Sequence, residues 1–511
     1  MATALQENPL REGLRKPRRP DPCILVIFGG SGDLARRKLI PSLYELQAHD
    51  RLPDKFAIVG FAHTRRTREE FQQHIRKALD KFAPGPVDDQ VWKKFCDRLY
   101  YISADFSQIE SAHRDLGERL AKLRNQLQIG GNTIFYLASP PKYFGPIIEN
   151  LAKAGLTKED DEHPGWKRVV IEKPFGKDLQ SARDLNRIAA EALSEENIFR
   201  VDHYLGKDTV QNILVFRFAN SIFEPIWNRR YIDEVQITIS ESVGMEGRGE
   251  FYEETGALRD IVQNHMLQLI SLTAMESPVA FEAECIRDEK TKVFRSIRKF
   301  APAEVGFYVV RGQYGPGMID ANLVSGYRRE EEVSPTSNTE TYVAAKLFID
   351  NWRWQDVPFY IRTGKRLAKK KTEIAIQFRP VPHGFFDTVA APNTLIMRIQ
   401  PDEGMSLKIE TKQPGESLKP RSVDLDFRYL SAFGITPGEA YERLLLDVMV
   451  GDQSLFARRD GVEAEWEVVT PILLSWAAFP PPDFPNYDAG SWGPGAADEL
   501  LEKDGRRWRR L

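Results

Sequence analysis

Apolar positions follow two different rhythms along this chain. In the N-terminal part, short, mainly apolar runs occur at Cys23–Phe28, Lys55–Ala62, Leu99–Ile102, Thr133–Leu137, Arg168–Ile171 and Ile198-Phe199. Runs of this length without polar alternation predict strands buried on both faces. Between them, apolar residues recur at helical spacing around Arg68–Phe82, Ile109–Leu127, Tyr143–Ala154 and Ser181–Ala192. Repeated strand–helix units predict a doubly wound parallel sheet with right-handed crossovers, and place ligands at the carboxyl ends of the strands.

From about Gly206 the rhythm changes. Lys207–Trp227 reads as helix, and Tyr231–Ser240 alternates with period two, as a half-exposed strand should. Similar runs follow at Tyr342–Ile349, Pro358–Ile361, Thr372–Phe378, Thr394–Ile399, Ser406–Glu410 and Val423–Phe427. Many strands with few helices between them predict an α+β domain with a large, mainly antiparallel sheet. Helices around Gly256–Met275 and Pro437–Val450 could cover one face, and an exposed remainder would serve for homodimer or homotetramer formation. The division expected is a disordered tail at 1–20, a nucleotide-binding domain at 21–205 and an α+β domain at 206–511.

Composition narrows the class. At 511 residues the chain exceeds one hydrophobic core. A net charge of −3 gives no reason to expect nucleic acid or a membrane as partner, and no apolar run is long enough to span a bilayer. The three cysteines, Cys23, Cys96 and Cys285, lie far apart without metal-ligand spacing, so no metal is expected and a reducing, cytoplasmic setting is. Met1–Pro20 mixes Arg, Lys, Glu and Pro without an apolar centre, unlike a signal peptide.

The first strand runs into Gly29-Gly30-Ser31-Gly32-Asp33-Leu34-Ala35 and then a helical pattern. Strand, glycine turn and helix form the Rossmann-like setting of a dinucleotide pyrophosphate, although the spacing is G-x-x-G-x-x-A. Pro41 places the start of the regular helix later than Asp33. The second strand ends in His63-Thr-Arg65-Arg-Thr-Arg68, with no acid before Glu69. Arginine at this point accommodates a 2′-phosphate, which favours NADP, with Arg65 as the contact. Ala138-Ser-Pro140-Pro141 follows the Thr133–Leu137 strand and should pass beside the cofactor. Glu172-Lys173-Pro174-Phe-Gly176 puts a lysine in a Pro-bounded turn after another strand.

The densest polar stretch is Arg200-Val-Asp202-His203-Tyr204-Leu-Gly-Lys207, in a chain with only eight histidines. His, Tyr and Lys are donors suited to a phosphate monoester, and Asp202, acceptor-only when ionised, would hold an imidazole. A capped turn with solvated charges is the alternative. In Gly256–His265, Asp260 and Asn264 stand four apart on one helical face, while His265 falls in a stripe with Leu258 and Ile261, as a core histidine would. A glycine-rich loop can bring Glu241 to a ligand, and Gly364-Lys365-Arg366 and Lys369-Lys370-Lys371 suit an anion or a solvated turn.

Taken in order, Gly29–Ala35, Glu172–Gly176, Asp202–Lys207, Arg259–His265 and Gly364-Lys365 resemble the motifs of glucose-6-phosphate dehydrogenases, from about Cys23 to the C-terminal Trp-rich segment. The resemblance implies oxidation of β-D-glucose 6-phosphate at its anomeric carbon with hydride transfer to NADP. It implies His265 as the base and Asp202 as its orienting carboxylate. His203, Tyr204 and Lys207 match the phosphate clamp. Lys173, Glu241, Asp260 and Lys365 match groups that grip the sugar, and Lys370 and Gln400 match peripheral contacts. Gly29, Gly30, Ser31, Gly32, Asp33, Leu34, Arg65, Ala138, Pro140 and Lys173 match the cofactor site. Arg362, Lys371 and Arg398 fit a second, structural NADP site found in some relatives, but Ala375 and Ser406 do not, so a second NADP is not expected. The basic end Arg506–Arg510 reads as solvated. Two rivals remain: an inositol-dehydrogenase-like enzyme acting on an unphosphorylated sugar or polyol, and a non-catalytic NADP-binding sensor.

Overall fold

The computed structural model describes residues 19–104, 109–159, 163–386, 391–415, 418–434 and 438–511. Of the expected N-terminal tail, only Arg19 and Pro20 lie among them; Arg19 pairs with Asp54 at 2.9 Å. The chain forms two compact units. The first takes in the chain to Ile171, Ala189–Phe199 and Tyr441–Gln453; the second takes in Glu172–Ile188, Arg200–Ala440 and Ser454–Leu511.

The first unit is built on β1 (Cys23–Phe28), β2 (Phe56–Ala62), β3 (Leu99–Ser103), β4 (Thr133–Leu137) and β5 (Lys167–Ile171), followed by β6 (Ile198–Val201). The spatial order is 6-5-4-1-2-3, and β5-β4-β1-β2-β3 are paired in parallel. β1, β2 and β4 are buried at every residue, which accounts for their unbroken apolar sequence. The crossover helix Arg68–Phe82 starts at a capping box, in which Thr67 receives the Glu70 N–H and Glu70 receives that of Thr67. After the glycine turn the chain is π-helical at Ala35–Leu39, and the α-helix Ile40–Ala48 begins with Pro41 in its first turn, where proline loses no hydrogen bond.

The second unit contains an eight-stranded sheet of β7 (Ile232–Ser240), β8 (Val309–Gly312), β9 (Tyr342–Leu347), β10 (Phe359–Gly364), β11 (Lys371–Phe378), β12 (Thr394–Gln400), β13 (Gly404–Lys412) and β14 (Pro420–Arg428). The order is 14-13-12-11-7-10-9-8, antiparallel except for the β7–β10 pair. The helix containing Leu258–Met266 lies against β7 and β10.

Three expectations are corrected here. The helix after Lys207 ends at Phe218: the Asn220 amide closes it on the Phe216 carbonyl, and Pro225 sits in a separate short turn. β7 is not half-exposed, because its polar positions other than Asp233 are buried as well. What covers Glu234 and Gln236 is the basic C-terminus, which is not solvated. The Gln236 amide donates to the Arg507 carbonyl at 2.9 Å and its oxygen accepts from Arg509 N–H at 2.9 Å. Arg506 pairs with Asp233 at 3.0 Å, Arg509 with Glu373 at 3.5 Å, and buried Trp508 donates to the Ala497 carbonyl.

The expected helix Gly256–Met275 is π-helical over Leu258–Met266 and α-helical over Leu267–Ala274. It departs at Gly256, φ 62°, where a Cβ would lie 2.3 Å from a Glu340 carboxylate oxygen. That same oxygen receives the Leu258 N–H at 3.0 Å. The expected helix at Pro437–Val450 is seen as Ala440–Val450, Pro437 lying outside the described residues. No described helix is long and apolar enough to cross a membrane.

Candidate active site

All the proposed catalytic and sugar-binding side chains belong to the second unit. Asp202 follows the last residue of β6, and its Oδ1 accepts the Tyr204 backbone N–H at 2.9 Å, tightening the Asp202–Lys207 turn. Lys207 then stands at the N-cap of the helix Asp208–Phe218. His265 approaches from the π-helix, and its Nδ1 lies 2.6 Å from Asp202 Oδ1, with both side chains buried. The histidine stripe with Leu258 and Ile261 therefore does not make His265 a core residue bonded to backbone. Its ring stacks on Tyr204 at 4.2 Å and meets His203 edge-on at 4.5 Å.

Around this pair, Lys173 Nζ donates to Asp260 Oδ1 at 3.0 Å and to the Asp260 carbonyl at 2.8 Å. Lys365 Nζ meets Glu241 Oε2 at 2.5 Å, and the Tyr252 ring lies 5.5 Å from the same ammonium. The Tyr204 phenol is within 3.5 Å of the Thr372 hydroxyl and of Gln400 Nε2, and Lys207 Nζ lies 5.7 Å from the Tyr204 ring. Tyr252 and Thr372 carry no motif and were not legible in the sequence; only their burial beside charged groups marks them. The Asn264 amide turns back onto the Arg259 carbonyl, and its oxygen accepts the His265 N–H. Lys370 is exposed, with no hydrogen bond or ion pair among the described residues.

Electrostatics separate the roles. Burial alone would raise Asp202, but the His265 imidazole, His203 and the Tyr204 N–H hold it at about 2. Burial pushes His265 below the usual imidazole value while Asp202 pulls it back up. His203 is pushed well down by burial, His265 and Lys173. Burial works against ionised Asp260, yet Lys173 and Lys365 keep it below the usual carboxylate range. The result is an anionic carboxylate holding a neutral imidazole, with cations placed around them.

In the first unit the glycine turn leaves β1 and enters the π-helix. A Cβ on Gly29, φ 87°, would lie 2.6 Å from the Ala138 carbonyl oxygen, and one on Gly30 2.6 Å from Gly60 Cα. The glycines thus let the turn sit directly on the ends of β4 and β2. Gly32 N–H closes the turn on the Gly29 carbonyl, and Asp33 makes exposed pairs with Arg36 and Arg37. Ser31 and Leu34 are half-buried and Pro140 is exposed. Two donors stand ready for a nucleotide. Ser139 Oγ is buried with no hydrogen-bond partner, and exposed Arg65 has no hydrogen bond or ion pair among the described residues. These residues fit NADP. On the sheet of the second unit, Arg362 bonds Thr238 and the Arg509 carbonyl, Arg398 pairs with Asp426, and Lys371 lies 3.8 Å from Asp402.

Comparison with known proteins gives the family. Residues 26–212 match the family model for the NAD binding domain of glucose-6-phosphate dehydrogenase, and residues 214–509 match that for its C-terminal domain. The glucose-6-phosphate 1-dehydrogenase of Chlamydia pneumoniae is 49% identical over 506 residues, covering 98% of each chain. The second such enzyme of Mycobacterium bovis is 45% identical over 515 residues, covering 100% of this chain and 99% of its own. A solved glucose-6-phosphate dehydrogenase in complex with its substrate glucose 6-phosphate superposes with a TM-score of 0.87 at 33% identity, covering 97% of this chain and 100% of that one. The chain belongs to the glucose-6-phosphate dehydrogenase family.

Proposed function

We propose that the Asp202–His265 pair carries out the oxidation of β-D-glucose 6-phosphate to 6-phospho-D-glucono-1,5-lactone. The observation that carries this reading is the 2.6 Å contact between His265 Nδ1 and Asp202 Oδ1. With Nδ1 donating to the carboxylate, Nε2 is left as an acceptor and takes the proton of the anomeric hydroxyl; Asp202 then stabilises the imidazolium that forms. NADP, when bound, supplies the acceptor for the hydride from the anomeric carbon. Lys173, Asp260, Glu241 and Lys365 are paired into two rigid arms suited to hold sugar hydroxyls. His203, Tyr204 and Lys207 offer donors to the phosphate, with Gln400 and Thr372 fixing the Tyr204 phenol. Gly29, Gly30, Ser31, Gly32, Asp33, Leu34, Arg65, Ala138 and Pro140 are the NADP residues, with Lys173 also assigned there.

We further infer a homodimer or homotetramer formed through β14, where Val423 and Leu425 are exposed. A cytoplasmic location is favoured by the three free cysteines. The test is a reduced-nicotinamide absorbance assay with glucose 6-phosphate, free glucose and inositol. Turnover should need the phosphorylated sugar. Equal rates with free glucose or inositol would sink the phosphate clamp, and NADP binding without turnover would leave a sensor.

A further inference from the structure

Glu340 and Thr341 stand side by side just before β9, 7% and 0% exposed. Each is hydrogen-bonded to the backbone of a different sugar-binding arm. Glu340 serves the first. The chain enters the π-helix from Gly256, which is left-handed, and Ala257, at the N-cap, has no side chain able to receive a helical N–H. The first N–H groups of a helix have no acceptor within it. Glu340 supplies them from 82 residues away: its carbonyl takes the Ala257 N–H at 3.0 Å, and its Oε1 takes that of Leu258 at 3.0 Å. Asp260 follows two residues later, and His265 lies on the same run of π-helix.

Thr341 serves the second arm. Its carbonyl accepts the Lys365 N–H at 2.9 Å. Its hydroxyl lies 2.9 Å from the Tyr487 phenol, which donates to the Lys365 carbonyl at 2.9 Å. The backbone of Lys365 is thus held at both its N–H and its carbonyl. One dipeptide therefore joins the Asp260 arm to the Lys365 arm, and Asp260 and Lys365 line one pocket with Tyr252. Glu340 makes no hydrogen bond or ion pair with Asp260, His265 or Lys365 among the described residues, so it acts on them through the backbone it holds.

We propose that Glu340 is a positioning residue for the reaction: its carboxylate caps the helix that carries Asp260 and His265 and so fixes their placement against Lys365. Asp260 governs how well the sugar is held and His265 how fast the proton leaves, so loss of the cap reaches both binding and turnover.

The inference rests on Asp260 as a sugar-binding group and His265 as the base. It is tested by steady-state kinetics of Glu340→Ala, Glu340→Gln and Asp260→Asn, with folding checked by circular dichroism. A displacement of about 1 Å is enough to cost a reaction up to about a hundredfold, so Glu340→Ala should raise KM for glucose 6-phosphate about tenfold and lower kcat about tenfold, with Kd for NADP unchanged. Glu340→Gln keeps an acceptor oxygen at the position of Oε1 and should bring both constants back to within about threefold of wild type. A purely structural residue would lower the number of active molecules, and hence the apparent kcat, without moving KM. A folded Glu340→Ala with wild-type KM, or a Glu340→Gln no better than Glu340→Ala, overturns the proposal. Should Glu340→Ala not fold, Glu340→Asp, whose shorter side chain withdraws the carboxylate from the Leu258 N–H, takes its place with the same expectation. Failure of both to fold overturns the proposal, because stability would then be the whole of the residue's role. Asp260→Asn should raise KM on its own; an unchanged KM there overturns the reading of Asp260 as a sugar-binding group, and the proposal with it.

Discussion

His265 Nδ1 and Asp202 Oδ1 lie 2.6 Å apart although 63 residues separate them in the chain, and both are buried. A contact this short between an anion and a ring nitrogen fixes the tautomer. Asp202→Asn keeps the shape but replaces the acceptor with an amide that also donates, so the ring loses its orientation. Steady-state kinetics should show kcat down by about a thousandfold or more, with KM for glucose 6-phosphate little changed. A fall of less than tenfold would remove Asp202 from this role.

His265→Asn removes the proton acceptor outright. It should lower kcat by several orders of magnitude while substrate still binds, as measured by calorimetry or fluorescence titration. Turnover close to wild type would place the base elsewhere.

Acid should inactivate the enzyme through the same imidazole. Burial holds His265 below its ordinary value of 6.5, so it is neutral at pH 7 and the rate falls only as pH drops through the lowered value. The sign for stability agrees: a histidine kept neutral in the fold costs stability as pH falls below 6.5, where the unfolded chain takes up the proton first. Asp202 raises the imidazole value, so in Asp202→Asn the residual activity should have its acid limb at lower pH. A limb at higher pH would contradict the arrangement.

Arg65 is exposed at the end of β2 without an intramolecular partner among the described residues. Arg65→Ala should weaken NADP by tenfold or more, roughly the contribution of one charge-assisted phosphate contact, and leave NAD almost unchanged. Equal weakening of both would refute the 2′-phosphate contact.

The C-terminus is a structural element. Trp508 is buried, donates to the Ala497 carbonyl and lies with its ring 4.5 Å from the Arg362 guanidinium. Trp508→Ala should cost about 3 kcal/mol in denaturant unfolding of the second unit. A loss within error of zero would show that the segment is not held.

Much of this was legible in the sequence because the signals were local. The unbroken apolar runs of β1 and β4 gave the parallel sheet, and Asp202–Lys207 packs its donors into a single turn. What escaped depended on distant neighbours. Gln236 and Glu234 look solvent-facing on β7 until Arg506–Arg509 is laid over them. Thr372 and Tyr252 gain meaning only from the charged groups folded against them. The pairing of Asp260 with Lys173 joins residues 87 apart in the chain, which periodicity does not report.

Leu258–Met266 takes more residues per turn than an α-helix, and its register decides which way the imidazole faces. Losing a single residue between Asp260 and His265 would let the segment relax to the tighter coil and swing everything after it by about 100°. The spacing of these two side chains is therefore a fixed length, intolerant of insertion or deletion even where each individual side chain could be exchanged.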